Sequence, residues 1–129
     1  MMTRELEGLQ VLLVDDHEDS RTTIAEFLRF HGADVKGVPS VAAALKALRG
    51  SDYHALVSDI RMPDQTGYEL IEEVRSWPLP KGRMPAVAIT AYAEFEDRDR
   101  ALQAGFDEYM PKMSSVLLVR TLVELCGRS

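Results

Sequence analysis

Four apolar runs in this 129-residue chain each stop at a polar residue that phosphoryl transfer uses. Val11-Leu12-Leu13-Val14 runs into Asp15-Asp16, and Ala55-Leu56-Val57-Ser58 runs into Asp59. Ala86-Val87-Ala88-Ile89 runs into Thr90, and a weaker run over 106–111 reaches Lys112. If the runs are neighbouring parallel strands, their polar ends share one sheet edge, where open α/β sheets bind ligands. Carboxylates brought together there repel by about 4 kcal/mol per pair at ~4 Å and an effective dielectric near 20. Protonation, a lysine or a metal must offset that. Lys112 supplies one positive charge, and an all-oxygen ligand set points to Mg²⁺ or Mn²⁺ for the rest. Asp59 can act as an oxygen nucleophile without a base. Thr90 has a hydroxyl to donate, and Lys112 is a point charge able to reach carboxylate and phosphoryl group together.

The elements that must position these residues follow from periodicity. Strands are expected at 9–15, 33–38, 54–59, 86–90 and 106–110. Helices are expected at 18–31, 40–49, about 67–76, about 94–104 and from Ser114 or Ser115 to about 125. Ile24, Phe27, Leu28 and Phe30 supply the apolar side of the first helix, and Ser40 can cap the second. Strict alternation with right-handed crossovers predicts a doubly wound α/β domain, strand order 2-1-3-4-5. The alternating 33–38 segment suits an edge, so the first and third strands lie side by side and Asp15, Asp16 and Asp59 converge. The proline-rich stretch 77–85 cannot be regular helix and reads as a stiff surface connector.

Composition narrows the function classes. The length suits one domain, 1–129 with a core over about 8–126. A formal net charge of -6 argues against nucleic-acid binding as its main business. No apolar stretch approaches the ~20 residues that span a membrane, and the N-terminus is no signal peptide. The single cysteine, Cys126, excludes an internal disulfide and reads as packing. A cytoplasmic setting is expected.

Taken in order, these segments resemble the receiver domain of two-component response regulators over essentially the whole chain, in the manner of a chemotaxis regulator. Val11-Leu12-Leu13-Val14-Asp15-Asp16 is similar to its first strand and acidic pair. The segment from Ser58-Asp59 to Gly67-Tyr68-Glu69-Leu70 is similar to its phosphoacceptor strand, loop and third helix. Ile89-Thr90-Ala91-Tyr92 and the stretch from Ala104-Gly105 to Pro111-Lys112 complete the pattern. The resemblance implies a flavodoxin-like (βα)5 fold and transfer of a phosphoryl group to Asp59 from a histidine kinase or histidine phosphotransfer domain. It implies Mg²⁺ held by Asp15, Asp16, Asp59 and the backbone carbonyl of Arg61. Thr90 and Tyr109 would form a switch that alters the surface of the fourth helix, fifth strand and fifth helix. Such a domain is a signalling switch with self-phosphorylation and autodephosphorylation activity rather than a turnover enzyme.

Several positions depart from the family pattern or stay open. Met113 stands where the family has proline after its lysine, and the generic cost of a non-proline cis bond favours trans. Arg61 and Tyr92 occupy positions that tune phosphoryl lifetime. They either crowd the attacking water and slow dephosphorylation, or simply face solvent. His17 reads as a solvent-facing loop residue, with pH sensing or contact with a metal shell as the alternative, His31 as a helix-end residue and His54 as the start of a strand. The run Glu94-Phe95-Glu96-Asp97-Arg98-Asp99-Arg100 reads as a solvated helix face with internal pairs, with partner contact as the alternative. Met84 and Met113 read as packing. A pseudo-receiver that only binds protein is the competing function, but no acid, hydroxyl or lysine of the set is missing. Asp-x-Asp chemistry of aspartate phosphatases does not fit Asp15-Asp16, and no phosphate loop for flavin follows the first run. Leu6-Glu7-Gly8-Leu9 resembles the entry to receivers appended to hybrid histidine kinases, so an excised domain is preferred over a stand-alone regulator.

Overall fold

The computed structural model describes residues 4–91 and 98–127. Strands β1 (Gln10–Val14), β2 (Asp34–Val38), β3 (Ala55–Asp59), β4 (Ala86–Thr90) and β5 (Glu108–Pro111) form one parallel sheet of order β2-β1-β3-β4-β5. Every residue of β3 and β4 is buried, as the apolar density of the central runs predicts. In β2 only Val35 and Val38 are buried, which suits its place at the edge.

Helices α1 (Glu18–Phe30), α2 (Val41–Gly50), α3 (Gly67–Arg75), α4 (Arg98–Ala104) and α5 (Ser115–Leu125) cover both faces. Because strand side chains alternate, Leu13 and Val57 pack with Ile24 and Leu28 of α1 and Leu118 and Leu122 of α5. Leu12, Leu56 and Ala88 pack instead with Val41 and Leu48 of α2, Leu70 and Val74 of α3, and Ala101 of α4. Ser40 caps α2 by accepting from the Ala43 amide. Thr66 and Glu69 close a capping box on α3. Among the described residues no helix is long and apolar enough to cross a membrane.

Some expectations need correction. Phe30 is 58% exposed, and Ala25 takes its place on the buried side of α1, because residue 30 falls beyond the stripe facing the sheet. Met113 is 93% exposed and does no packing, whereas Met84 is buried. Leu6 is fully buried, so the core begins before residue 8; its amide donates to the His31 carbonyl. Ser114 takes the capping position of α5 but makes no side-chain cap. The connector over 77–85 holds a 3-10 turn, Lys81–Arg83, with Gly82 and Met84 buried inside it. Arg75 ties this connector down, donating to the carbonyls of Gly82 (3.1 Å), Met84 (2.7 Å) and Gly105 (2.8 Å). His54 precedes β3 and accepts from the Gln10 amide through Nδ1 (2.8 Å). Residues 94–97 of the charged run, and Tyr92, lie outside the described residues. Its described end pairs outward: Arg98 with Glu108 at 2.8 Å, and Arg100 over the Tyr68 ring at 4.2 Å.

Candidate functional site

Strand register brings the four stops together. Val14 lies opposite Ser58, Asp59 opposite Ile89 and Thr90 opposite Pro111. Asp15 therefore extends β1 beside the end of β3, and Lys112 follows Pro111 with its amide donating to the Thr90 carbonyl (2.9 Å). Asp15, Asp59 and Thr90 are all buried. Asp16 stays partly open, its side chain 19% exposed.

Lys112 links the acids. Its Nζ lies 2.9 Å from Asp15 Oδ1 and 3.0 Å from Asp59 Oδ2, with the side chain only 7% exposed. Its bond to Met113 is trans, since the one cis bond among the described residues is Leu79–Pro80. The lysine thus reaches the cluster without the family's proline. Burial pushes the Asp59 carboxyl above the ordinary carboxylate range; the Lys112 hydrogen bond and charge oppose this, and the Asp15 charge adds to it. Burial works to lower the Lys112 ammonium, but hydrogen bonds to Asp15 and Asp59 outweigh it and its pKa is raised. The lysine therefore keeps its charge while Asp59 is the strained member of the cluster.

Asp15 is held at every polar atom. Oδ1 accepts from the His17 amide (3.0 Å) as well as Lys112, Oδ2 accepts from Ser20, and its carbonyl accepts from Arg21 Nη1 (2.8 Å). Asp59 is held through its backbone, its carbonyl accepting from Ser58 Oγ (2.8 Å). Gly67, the first residue of α3, packs on that carbonyl so closely that a Cβ would lie 2.5 Å from it.

Asp16 differs from its neighbours, because its Oδ1 is buried and accepts no hydrogen bond from the described residues. One oxygen or nitrogen from each of Asp15, Asp16, His17 and Asp59 lies within 4.8 Å of the others. A buried oxygen that accepts no hydrogen bond among the described residues, amid two further carboxylates, fits a hard divalent cation. His17 is exposed, as its loop position predicts (65%), while its Nδ1 sits 3.3 Å from Asp16 Oδ1. Arg61 is exposed just past β3, and Tyr109 is half-buried against the α2–α3–α4 side of the core. Ser20, Arg21 and Ser58 escaped the sequence reading. Only the spacing of Ser20, five residues after Asp15 and in the first turn of α1, could have flagged it.

A five-stranded 2-1-3-4-5 sheet with an acid cluster and a lysine at its switch point defines the receiver class. The family model for the response regulator receiver domain matches residues 11–124, and the chain belongs to that family. It is 42% identical over 123 residues to an uncharacterized 14.6 kDa protein from Leptolyngbya boryana, covering 94% of this chain and 92% of that one. It is 32% identical over 105 residues to the sensor histidine kinase GacS of Pseudomonas protegens, spanning 80% of this chain and 12% of that protein. Among solved structures, a putative response regulator from Chloroflexus aurantiacus superposes with a TM-score of 0.86 at 26% identity, covering 93% and 98% of the two chains. The receiver domain of a Pseudomonas aeruginosa sensor histidine kinase, solved with magnesium in its active-site cleft, gives 0.83 at 34% identity with the same coverages. The protein is thus a receiver domain of two-component signalling, a class that interacts with histidine kinases or phosphotransfer proteins.

Proposed function

We propose that this receiver accepts a phosphoryl group on Asp59 from a phosphohistidine of a histidine kinase or phosphotransfer domain. The observation that carries the reading is the sharing of one ammonium by Asp15 and Asp59, 2.9 and 3.0 Å from Lys112 Nζ, beside a buried Asp16 oxygen that accepts no hydrogen bond among the described residues. An Asp59 carboxylate oxygen attacks phosphorus, the P–N bond to the imidazole breaks, and the departing imidazole takes up a proton. Lys112 and the Thr90 hydroxyl then hold phosphoryl oxygens as charge spreads over them. Asp15, Asp16, Asp59 and the Arg61 carbonyl would hold Mg²⁺, with Mn²⁺ as a substitute. Bound there, the cation would neutralise the carboxylates and the incoming phosphoryl oxygens.

The added charge is read out by a two-state element. Thr90 moves toward the phosphoryl oxygen, and the Tyr109 ring turns inward from its half-buried position. The surface of α4, β5 and α5 then changes its affinity for an output partner. Arg61, exposed just past β3, tunes lifetime by crowding the water that hydrolyses the aspartyl phosphate.

Incubation with Mg²⁺ and a small phosphodonor, followed by intact-mass measurement, tests the reading. One phosphoryl group should appear on the native chain and none on Asp59→Asn. If neither a phosphorylated species nor fluoroberyllate binding is seen, the protein-binding pseudo-receiver is the better account.

A further inference from the structure

We infer that Ser20 is a positioning residue that fixes the Lys112 ammonium between Asp15 and Asp59, a role that rests on the phosphoacceptor reading above. Lys112 has three N–H donors. One goes to Asp15 Oδ1 at 2.9 Å, one faces Asp59 Oδ2 at 3.0 Å, and the third goes to Ser20 Oγ at 3.3 Å. All three are then assigned, and the ammonium has no freedom left to rotate about its stem.

Residue type explains why a serine suits this place. A carboxylate only accepts and an ammonium only donates, whereas a hydroxyl does both. Ser20 Oγ accepts from Lys112 and donates to Asp15 Oδ2, closing a ring through both oxygens of one carboxylate. The same Oγ lies 3.3 Å from the His17 carbonyl, but its single proton goes to the charged acceptor, the stronger one. A second carboxylate here would add repulsion, and a second cation would drive Lys112 away.

The hydroxyl is itself well anchored. Ser20 sits in the first turn of α1, and the next residue, Arg21, donates to the Asp15 carbonyl (2.8 Å). The Arg21 stem lies across Gly37 of β2, where a Cβ would come within 3.2 Å of its Cγ and Cδ. Two consecutive residues of one helix thus grip Asp15 at its backbone and its side chain. When a phosphoryl group arrives on Asp59, the contacts to Asp15 and Ser20 keep Lys112 in place while the donor that faced Asp59 turns to a phosphoryl oxygen.

The test compares native protein, Ser20→Ala and Ser20→Thr by two measurements. One is the saturation curve for phosphorylation by a small phosphodonor in Mg²⁺. The other is the side-chain ¹⁵N–¹H signal of the Lys112 ammonium, identified by its loss in Lys112→Met. Ser20→Ala should lower the maximal rate about tenfold, the scale of one hydrogen bond to a charged group, without changing the half-saturating donor concentration. It should also abolish the protected ammonium signal while backbone amide signals of the sheet stay put, and Ser20→Thr should restore both. A Ser20→Ala protein within about twofold of native, with its ammonium signal intact, overturns the role, as does failure of threonine to restore either property. A native protein that is never phosphorylated defeats the phosphoacceptor reading instead, and the ammonium signal then decides the positioning role alone.

Discussion

Lys112 Nζ and Asp59 Oδ2 lie 3.0 Å apart with their side chains 7% and 4% exposed, so the charges of this pair are almost entirely out of water. Burying a carboxylate raises its pKa and burying an ammonium lowers it; the pair persists because each offsets the other's loss of hydration. Asp15 shares the same ammonium, so the cluster holds more negative charge than one lysine can balance.

Removing the cation exposes that imbalance. Lys112→Met leaves Asp15 and Asp59 buried without a positive partner, and in chelator it should cost about 3 kcal/mol of folding stability. Urea unfolding measures this, and Mg²⁺ should recover much of the loss. An unfolding midpoint equal to that of the native protein in chelator would show that the pair contributes little.

The pH dependence of stability follows from the sign of the Asp59 shift. Its folded pKa is raised above the unfolded value. Its contribution is therefore fully present below the unfolded pKa, about 3.9, and is lost as pH rises through the folded value. In chelator the native protein should lose stability relative to Asp59→Asn as pH climbs from about 4 toward neutrality. Denaturant melts of the two proteins at matched pH values test this, and a difference independent of pH would contradict it.

Gly67 couples α3 to the site. A Cβ at this position would lie 2.5 Å from the Asp59 carbonyl and 3.1 Å from Ile60 Cα, and neither backbone group can step aside cheaply. Gly67→Ala should cost about 1–3 kcal/mol and weaken Mg²⁺ binding together with phosphorylation, since relief requires Asp59 to shift. Magnesium affinity from calorimetry, unchanged in a destabilised variant, would separate the two effects and count against the coupling.

Arg75 is a structural hub remote from the cluster. Its guanidinium serves the Gly82, Met84 and Gly105 carbonyls and also pairs with Asp107 at 3.1 Å. Asp107 Oδ2 in turn accepts from the Ala86 amide at 2.8 Å, so one fork fastens the connector to the starts of β4 and β5. Arg75→Ala should destabilise by about 3 kcal/mol, and Arg75→Lys should restore little, because an ammonium cannot reproduce the planar fork. Thermal melts of both variants decide it; near-native melting of Arg75→Lys would mean that charge alone matters.

Much of this was legible in the chain because it is local. Apolar density marks β3 and β4 as central, alternation marks β2 as the edge, and Ser40 announces the start of α2. Asp15, Asp16, Asp59, Thr90 and Lys112 could be picked out because each ends an apolar run, and parallel pairing then leaves them one shared edge. Ser20 was not picked out: its spacing from Asp15 hints at the site, but nothing in the first turn of a helix says which serine will face a lysine 92 positions away. The burial of Leu6 and the exposure of Phe30 escaped for the same reason, because each depends on where another segment ends.

By itself, then, the sequence determined the strand order and the identity of the residues at the sheet's edge, through periodicity and the chemistry of side-chain types. Only the tertiary structure decided which donor meets which acceptor. It brought Lys112 to Asp15 across 97 positions with a trans bond to Met113, left one buried Asp16 oxygen without a hydrogen bond from the described residues, and placed the Ser20 hydroxyl where it can bridge acid and ammonium. Those outcomes turn on distances of a few tenths of an ångström between segments that meet only when the sheet and its helices pack.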